Sequence, residues 1–234
     1  LSAYDRIAHL YDPWSRSVVE DVSFYVEAAL AAAGPVVELG VGTGRIAVPT
    51  ALAGVPVIGV DSSAGMLEVA RARAAAAGVA DLLDLRLGDL RAPPVEGTFP
   101  LVTSPFRALL HMETDADRRA ALLAARALVA DDGRFVFDVF EPGADDIADT
   151  DHRWLEREPG IWERADWNVR TRTLVLRVRG DGGETEMSLA WLSVAEWESL
   201  LRECGFEVVS LYGWFDRQPY GNGEDSVWVC RPVT

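Results

Sequence analysis

Val36-Val37-Glu38-Leu39-Gly40-Val41-Gly42-Thr43-Gly44-Arg45 is a short apolar run that breaks into glycines at alternate positions. The run Val36–Leu39 reads as a buried strand, and residues 45–53 can form a helix with Pro49 as a kink or early-turn residue. Glycine at a strand-to-helix turn lets the backbone bend tightly and approach a ligand closely. The helix start offers free N–H groups. Asp61 ends the next strand, 21 residues after Gly40, where an acid can accept hydrogen bonds from both hydroxyls of a ribose. Together these residues point to a nucleoside cofactor.

The rest of the chain extends that strand–helix rhythm. Strands are expected at 55–60, 82–87, 101–104 and 134–140, with helices at 64–77 and 115–129 and a turn at Asp132-Gly133. An earlier helix over 17–33 carries Val18, Val22, Tyr25, Val26, Ala29 and Ala33 at helical spacing. Such alternation with short buried strands signals a doubly wound α/β fold around a mostly parallel sheet. After Phe140 the pattern changes. An acid-, Gly- and Pro-rich loop covers 141–150, antiparallel strands are expected at 162–169, 172–179 and 184–192, and Asp181-Gly182-Gly183 reads as a hairpin turn. A helix at 195–204 and strands at 207–212 and 226–230 close the chain. No repeat or flexible linker interrupts it, so one domain spanning 1–234 is expected, with an N-terminal helical lid over about 1–33 and an antiparallel insertion over about 150–192.

The type of cofactor follows from the loop. A dinucleotide site of the form G-x-G-x-x-G would place its third glycine at 45, where the chain has Arg45. No Gly-Lys-Ser/Thr follows, so a phosphate-binding P-loop is excluded. Glu38, just before the glycines, would repel a phosphate and attract the ammonium of an amino-acid tail. An NAD(P)-dependent oxidoreductase and a non-catalytic nucleoside-binding or scaffolding protein remain as alternatives.

Glu38-Leu39-Gly40-Val41-Gly42-Thr43-Gly44 resembles the first motif of class I S-adenosylmethionine-dependent methyltransferases of the small-molecule type. Gly59-Val60-Asp61-Ser62-Ser63-Ala64-Gly65-Met66-Leu67 resembles their ribose- and adenine-holding segment, and Gly88-Asp89-Leu90 the pair at the adenine edge. Val102-Thr103-Ser104-Pro105-Phe106 and Asp132-Gly133-Arg134-Phe135 follow in the family's order. The resemblance covers about residues 30–140 well and the C-terminal strands more loosely. It implies a seven-stranded sheet in the order 3-2-1-4-5-7-6 with the last strand antiparallel. It also implies S-adenosylmethionine as the cofactor. Gly40, Gly42 and Gly44 would shape the loop and Asp61 would bind the ribose. Ser62 and Met66 would flank the adenine, with Asp89 at its amino group and Leu90 on the ring. The backbone around Ser104 would lie near the methionine moiety. Glu38 and Arg45 at the two ends of the loop, and Tyr11, complete the expected cofactor set. Tyr4-Asp5-Arg6-Ile7-Ala8-His9-Leu10-Tyr11-Asp12 is similar to the family's aromatic lid, and Tyr4 and Tyr11, seven apart, can share one helix face.

Methyl transfer from a sulfonium needs donor and nucleophile held in line, and a base where the nucleophile carries a proton. His111 is a candidate general base or a buried hydrogen-bonded histidine. Arg107 is a candidate for binding a substrate carboxylate or phenolate, or a brace for its loop. Tyr4, Phe106, Arg107 and Trp162 are the candidate substrate-binding residues. Trp154, Trp162, Trp167, Trp191 and Trp197 would wall a substrate pocket or fill the core beneath the added strands. The expected reaction is methylation of an O, N or C nucleophile of a small molecule.

Other classes are disfavoured. The chain has 22 Lys+Arg against 37 Asp+Glu, a net charge of −15, which argues against nucleic-acid or anionic-membrane partners. Thr103-Ser104-Pro105-Phe106 matches only the last two positions of the Asn/Asp/Ser-Pro-Pro-aromatic motif of base methylation; protein methylation stays open. His9, His111 and His152 show no metal spacing, and Cys204 and Cys230 form no disulfide framework, so no metal is expected. The acids Asp145, Asp146, Asp149 and Asp151 read as a solvated turn. No apolar run is long enough to span a membrane and no signal-peptide layout is present, so a cytoplasmic location is the expectation. The first residue is not Met, which suggests a trimmed N-terminus. Arg170, Arg172, Arg177 and Arg179 mark a solvated strand face or an edge that meets an acidic surface in a homodimer.

Overall fold

A computed structural model describes residues 2–15, 19–181 and 183–233. The strand before the glycines, β1 (Val36–Leu39), is buried along its whole length. Such continuous apolar runs suit a parallel strand covered on both faces. It pairs in parallel with β2 (Val57–Asp61) and β4 (Phe99–Ser104), and β2 pairs with β3 (Leu83–Leu87). β5 (Val129–Phe140) lies beside β4. The chain ends with β10 (Phe206–Tyr212) and β11 (Asp225–Pro232), and β11 runs antiparallel to both β10 and β5. The sheet order is β10-β11-β5-β4-β1-β2-β3, the order expected from sequence with the last strand reversed.

Helices follow the parallel strands. They are α3 (Ala47–Leu52) after β1, α4 (Ala64–Ala76) after β2 and α5 (Asp115–Leu128) after β4. Ser63 caps α4 by accepting the Met66 amide, and Thr114 caps α5 by accepting that of Asp117. α7 (Val194–Glu203) opens with the reciprocal capping box of Ser193 and Glu196. α2 (Glu20–Ala32) packs against α3 and β4; Ser17 and Val18 of the expected helix fall outside the described residues. The core is aromatic around β5: Phe135 and Phe137 stack with Phe206 and Trp228.

A second, four-stranded antiparallel sheet is built from β6 (Trp154–Glu158), β7 (Ile161–Asn168), β8 (Thr173–Gly180) and β9 (Gly183–Ala190). Gly182 of the expected hairpin turn lies outside the described residues. The charged edge strand β6 has no apolar alternation strong enough to announce it. Two further expectations are corrected. The loop 141–150 contains the helix α6 (Ala144–Thr150). The turn at Asp132-Gly133 is absorbed into β5 as an irregularity: Phe99 pairs with Val129 but Leu101 pairs with Arg134. Gly133 permits this because a Cβ there would sit 2.8 Å from the Phe99 carbonyl oxygen.

The N-terminal segment joins the two sheets. A single 3-10 turn (Ala3–Arg6) is followed by α1 (Ala8–Trp14). Tyr4 and Tyr11 therefore sit on different helical pieces, yet their rings meet edge to face with centroids 5.8 Å apart. Ile7, on the turn between them, is buried with Ile161, Val178 and Met187 of the small sheet.

Candidate active site

The glycine loop leaves β1 with Gly40, Gly42 and Gly44 all at positive φ (82°, 54° and 76°). Two of them are close-approach positions. A Cβ on Gly40 would lie 2.7 Å from the Ala108 Cβ, and one on Gly44 3.2 Å from Val48 and 3.4 Å from Ala70. A Cβ on Gly42 would meet nothing within 4 Å, and Gly42 lines a cavity of about 400 Å³. The loop is held from β2. Asp61 Oδ2 accepts the Gly42 amide and Oδ1 accepts that of Ser63, both at 2.8 Å. Burial lifts the Asp61 pKa, against these two hydrogen bonds.

That cavity gathers most of the expected cofactor set: Tyr11, Gly40, Gly42, Asp61, Ser62, Met66, Asp89 and Leu90, with Tyr4, Phe106 and His111 at its far wall. Arg91 grips Asp89 at 2.6 Å and keeps its carboxylate below the usual range. A recess of this size, edged by a side-chain-free backbone and a half-buried carboxylate with spare lone pairs, fits a nucleoside with a short polar tail. Four expected residues do not line it. Gly44 packs against α4. The Ser104 hydroxyl is buried at the end of β4 with no partner among the described residues. Arg45 turns to the fully buried Asp21 of α2, which it grips with both guanidinium nitrogens, while its charge lies 4.3 Å from the Phe106 ring centre.

Glu38, the fourth, is also buried. Burial, helped by the nearby Asp21 and Asp61 and opposed by Arg45, pushes its pKa up to about 8. Between the ordinary glutamate range and that value, the folded chain keeps a proton that the unfolded chain gives up. The stabilisation is full below that range and is lost as pH rises through about 8. Glu38→Gln is therefore expected to flatten the decline. The fall in melting temperature between about pH 5 and about pH 8 should shrink by several degrees, at roughly 2–4 °C per kcal/mol. An unchanged decline in the variant would show that Glu38 is ionised in the folded chain.

A second cavity, about 530 Å³, opens on the other side of Tyr4, Tyr11, Phe106 and His111, which line both. The small sheet supplies its far wall through Glu163, Ala165 and Trp167 on β7, Leu174 and Leu176 on β8 and Leu189 on β9. These are alternate positions on one sheet face. Trp162 falls on the opposite face, where Arg179 stacks over Trp154 and Trp162, so it is not a cavity residue; Trp167 is. Arg177 of that outer face pairs with Asp166, and Arg172, in the turn before β8, pairs with Glu196.

The wall between the cavities has a fixed hydrogen-bond direction. The Ser188 carbonyl can only accept, so His111 Nδ1 carries the proton in their 3.1 Å contact. His111 Nε2 is then the acceptor for the Tyr4 hydroxyl at 2.9 Å. Burial pushes the His111 pKa down to about 4, so the ring is neutral at pH 7. Its lone pair is already engaged by Tyr4, so His111 orients that phenol rather than facing open cavity.

Arg107 stands in the second cavity, bound to Asp225 at 2.7 Å and stacked on Phe140 at 4.6 Å. Phe106 and Arg107 are both left-handed (φ 54° and 63°), a strained pair for residues with side chains. Asp138 on β5 holds them: Oδ1 accepts the Phe106 amide at 2.8 Å and the Tyr25 hydroxyl at 2.6 Å, and Oδ2 accepts the Arg107 amide at 3.1 Å. Burial raises the Asp138 pKa to about 6 despite these bonds. Sequence reading missed this residue. Its one signal was an acid inside the apolar run Phe135 to Phe140. It also missed two acids of the N-terminal segment. Asp5 Oδ1 accepts from the Ser63 hydroxyl at 2.6 Å and the Gly65 amide at 3.0 Å at the start of α4. Asp12 accepts from the Thr43 hydroxyl at 2.6 Å and pairs with Arg73.

Residues 36–133 match the family model described as a methyltransferase domain. The chain is similar to the CcbJ methyltransferase of Streptomyces caelestis, with 28% identity over 92% of this chain and 97% of that one and a TM-score of 0.80. It shares its fold with an S-adenosylmethionine-dependent methyltransferase of Clostridium acetobutylicum, at 14% identity, full coverage of both chains and a TM-score of 0.83. It shares it also with CalS10, an amino pentose methyltransferase of Micromonospora echinaspora seen with S-adenosylmethionine bound, at 22% identity, 93% coverage of each chain and a TM-score of 0.65. The glycine loop, the half-buried acid at the end of β2, the sheet order and these likenesses agree: the chain is an S-adenosylmethionine-dependent methyltransferase with its methyltransferase domain at residues 36–133.

Proposed function

We propose that the protein methylates a small molecule held in the second cavity. The observation that carries this reading is the pair of cavities sharing one thin wall of Tyr4, Tyr11, Phe106 and His111. The cofactor, bound over Gly40, Gly42 and Asp61, supplies an activated methyl group. The residues of this chain do the rest. Asp61 and Asp89 hold the polar edges of the nucleoside, and Met66 and Leu90 cover its base. Tyr4 and Tyr11 close over the site from the N-terminal segment, which Asp5 and Asp12 fasten to α4 and to the glycine loop. Their apolar rings exclude water where the displacement occurs. Arg107 and Phe106 shape the acceptor side, and His111 takes the hydrogen of the Tyr4 hydroxyl.

A volume of about 530 Å³ suits a molecule of drug-like size rather than a folded protein or a duplex. The test is an S-adenosylhomocysteine-release assay on a panel of phenols, arylalkylamines and amino sugars. The expected result is release that depends on one panel member, together with that member recovered carrying one added methyl group. Release that depends only on an added protein or nucleic-acid substrate would contradict the reading.

A further inference from the structure

The second cavity has a charge that its overall shape does not require. Six acidic residues line it, Asp146, Glu156, Glu158, Glu163, Glu224 and Asp225, against the two arginines Arg107 and Arg157, although Glu156 stands opposite Trp162 on the outer face of the small sheet. Both guanidiniums are already neutralised in place, Arg107 by Asp225 and Arg157 by Glu163, each at 2.7 Å. Of the four remaining acids, Glu156 and Glu224 each accept one backbone amide, from Gly160 and Gly143, both at 2.9 Å. The carboxylates of Asp146 and Glu158 have no hydrogen bond or ion pair among the described residues. Among the described residues the unpaired charge inside the cavity is therefore negative, and no cation of theirs answers it.

Two further features of the lining call for a ligand atom. Ser15 lines this cavity at 6% exposure, and its hydroxyl is buried with no partner among the described residues. A buried polar group left unpaired costs roughly 1–3 kcal/mol and calls for a ligand atom or water. At the wall toward the cofactor, the Tyr4 hydroxyl spends its hydrogen on His111 and so shows the cavity only lone pairs. A group that docks there must donate. The floor between acids and wall is aromatic, with Tyr11, Trp14, Phe106, Phe140 and Trp167, whose faces attract cations.

Resting on the small-molecule reading above, we infer that the substrate is an apolar molecule bound as its ammonium cation, and that its amine nitrogen is the methyl acceptor. An anion would meet uncompensated carboxylates, and a neutral alcohol would leave Asp146 and Glu158 unanswered. The transfer balances without another reactant. The ammonium gives its proton to water at the cavity mouth, where Glu156, Arg157 and Glu224 are exposed. The free nitrogen lone pair then forms the new nitrogen–carbon bond as the carbon–sulfur bond breaks. The sulfur keeps that electron pair, leaving S-adenosylhomocysteine.

The experiment is calorimetric titration of the full chain, first with S-adenosylhomocysteine and then, on that complex, with benzyltrimethylammonium, benzyl alcohol and benzoate. The quaternary cation cannot be methylated, so only recognition is read. The cation is expected to bind about tenfold more tightly than the alcohol, with benzoate weakest. The double variant Asp146→Asn with Glu158→Gln is expected to lose about fivefold of the cation's affinity while the alcohol's stays within about twofold. Equal affinities for cation and alcohol, tighter benzoate, or no cation binding to the complex would overturn the inference. Failure of S-adenosylhomocysteine itself to bind would instead strike the methyltransferase site, so the two failures are separable.

Discussion

Gly42→Val should abolish measurable S-adenosylhomocysteine binding while leaving the protein folded. Gly42 sits at φ 54° and lines the first cavity, and a Cβ there meets no protein atom within 4 Å. A valine would occupy the space of the ligand and hold a left-handed backbone, a conformation that costs a β-branched residue about 1–3 kcal/mol. The stability cost should therefore be a drop of several degrees in melting temperature, at roughly 2–4 °C per kcal/mol. The affinity loss should exceed about 100-fold. The contrast with Gly40 is informative: there a new Cβ strikes Ala108 at 2.7 Å, so Gly40→Val should cost folding as well as binding. A Gly42→Val variant that binds within about tenfold of the parent would show that the cavity beside this loop is not the cofactor site.

Asp138→Ala has the largest expected effect on stability. The carboxylate is buried and answers two backbone amides and one phenol. Its removal leaves all three donors without their partner and releases the left-handed pair Phe106–Arg107 from its brace. Buried donors left unpaired cost about 1–3 kcal/mol each, so a loss of about 3–5 kcal/mol is expected. That corresponds to roughly a 10 °C fall in melting temperature for a chain of this size. Turnover should fall further than stability at permissive temperature, because Phe106 lines both cavities and Arg107 the second. Tyr25→Phe is the control: it removes one of the three donors from the same carboxylate and should cost only about 1 kcal/mol with turnover kept. Equal losses in both variants would mean that Asp138 supports the core through Tyr25 and does not position the loop.

The parts of this molecule that were legible in its sequence are those whose cause is local. Glycines at 40, 42 and 44 announce a backbone with positive φ, and an acid at the end of an apolar strand announces a liganding or bonding carboxylate. The sheet order follows once those motifs place the strands in a known topology. What stayed hidden depends on long-range register. Trp162 and Trp167 are equally aromatic, and only the pairing of β7 with β8 decides that Trp167 faces the cavity. Asp138 looks like one acid in a strand until the chain brings the Phe106 and Arg107 amides onto it. Asp5 and Asp12 look like lid polarity until they reach α4 and the glycine loop, more than fifty and thirty residues away. Glu38 was read as a partner for an ammonium in the cofactor; its burial with Asp21 and Arg45 shows a different local charge balance. The helix α6 was masked by acids, yet it brings Asp146 to the second cavity.

Calorimetric titration with S-adenosylhomocysteine, with NADH run beside it, tests the central claim most directly. Saturable binding of S-adenosylhomocysteine is expected, with none for NADH. Asp61→Ala should weaken it by about 100-fold, since the ribose loses its acceptor and the Gly42 amide its anchor. A folded protein that takes up NADH at this site, or that ignores S-adenosylhomocysteine altogether, would contradict the account.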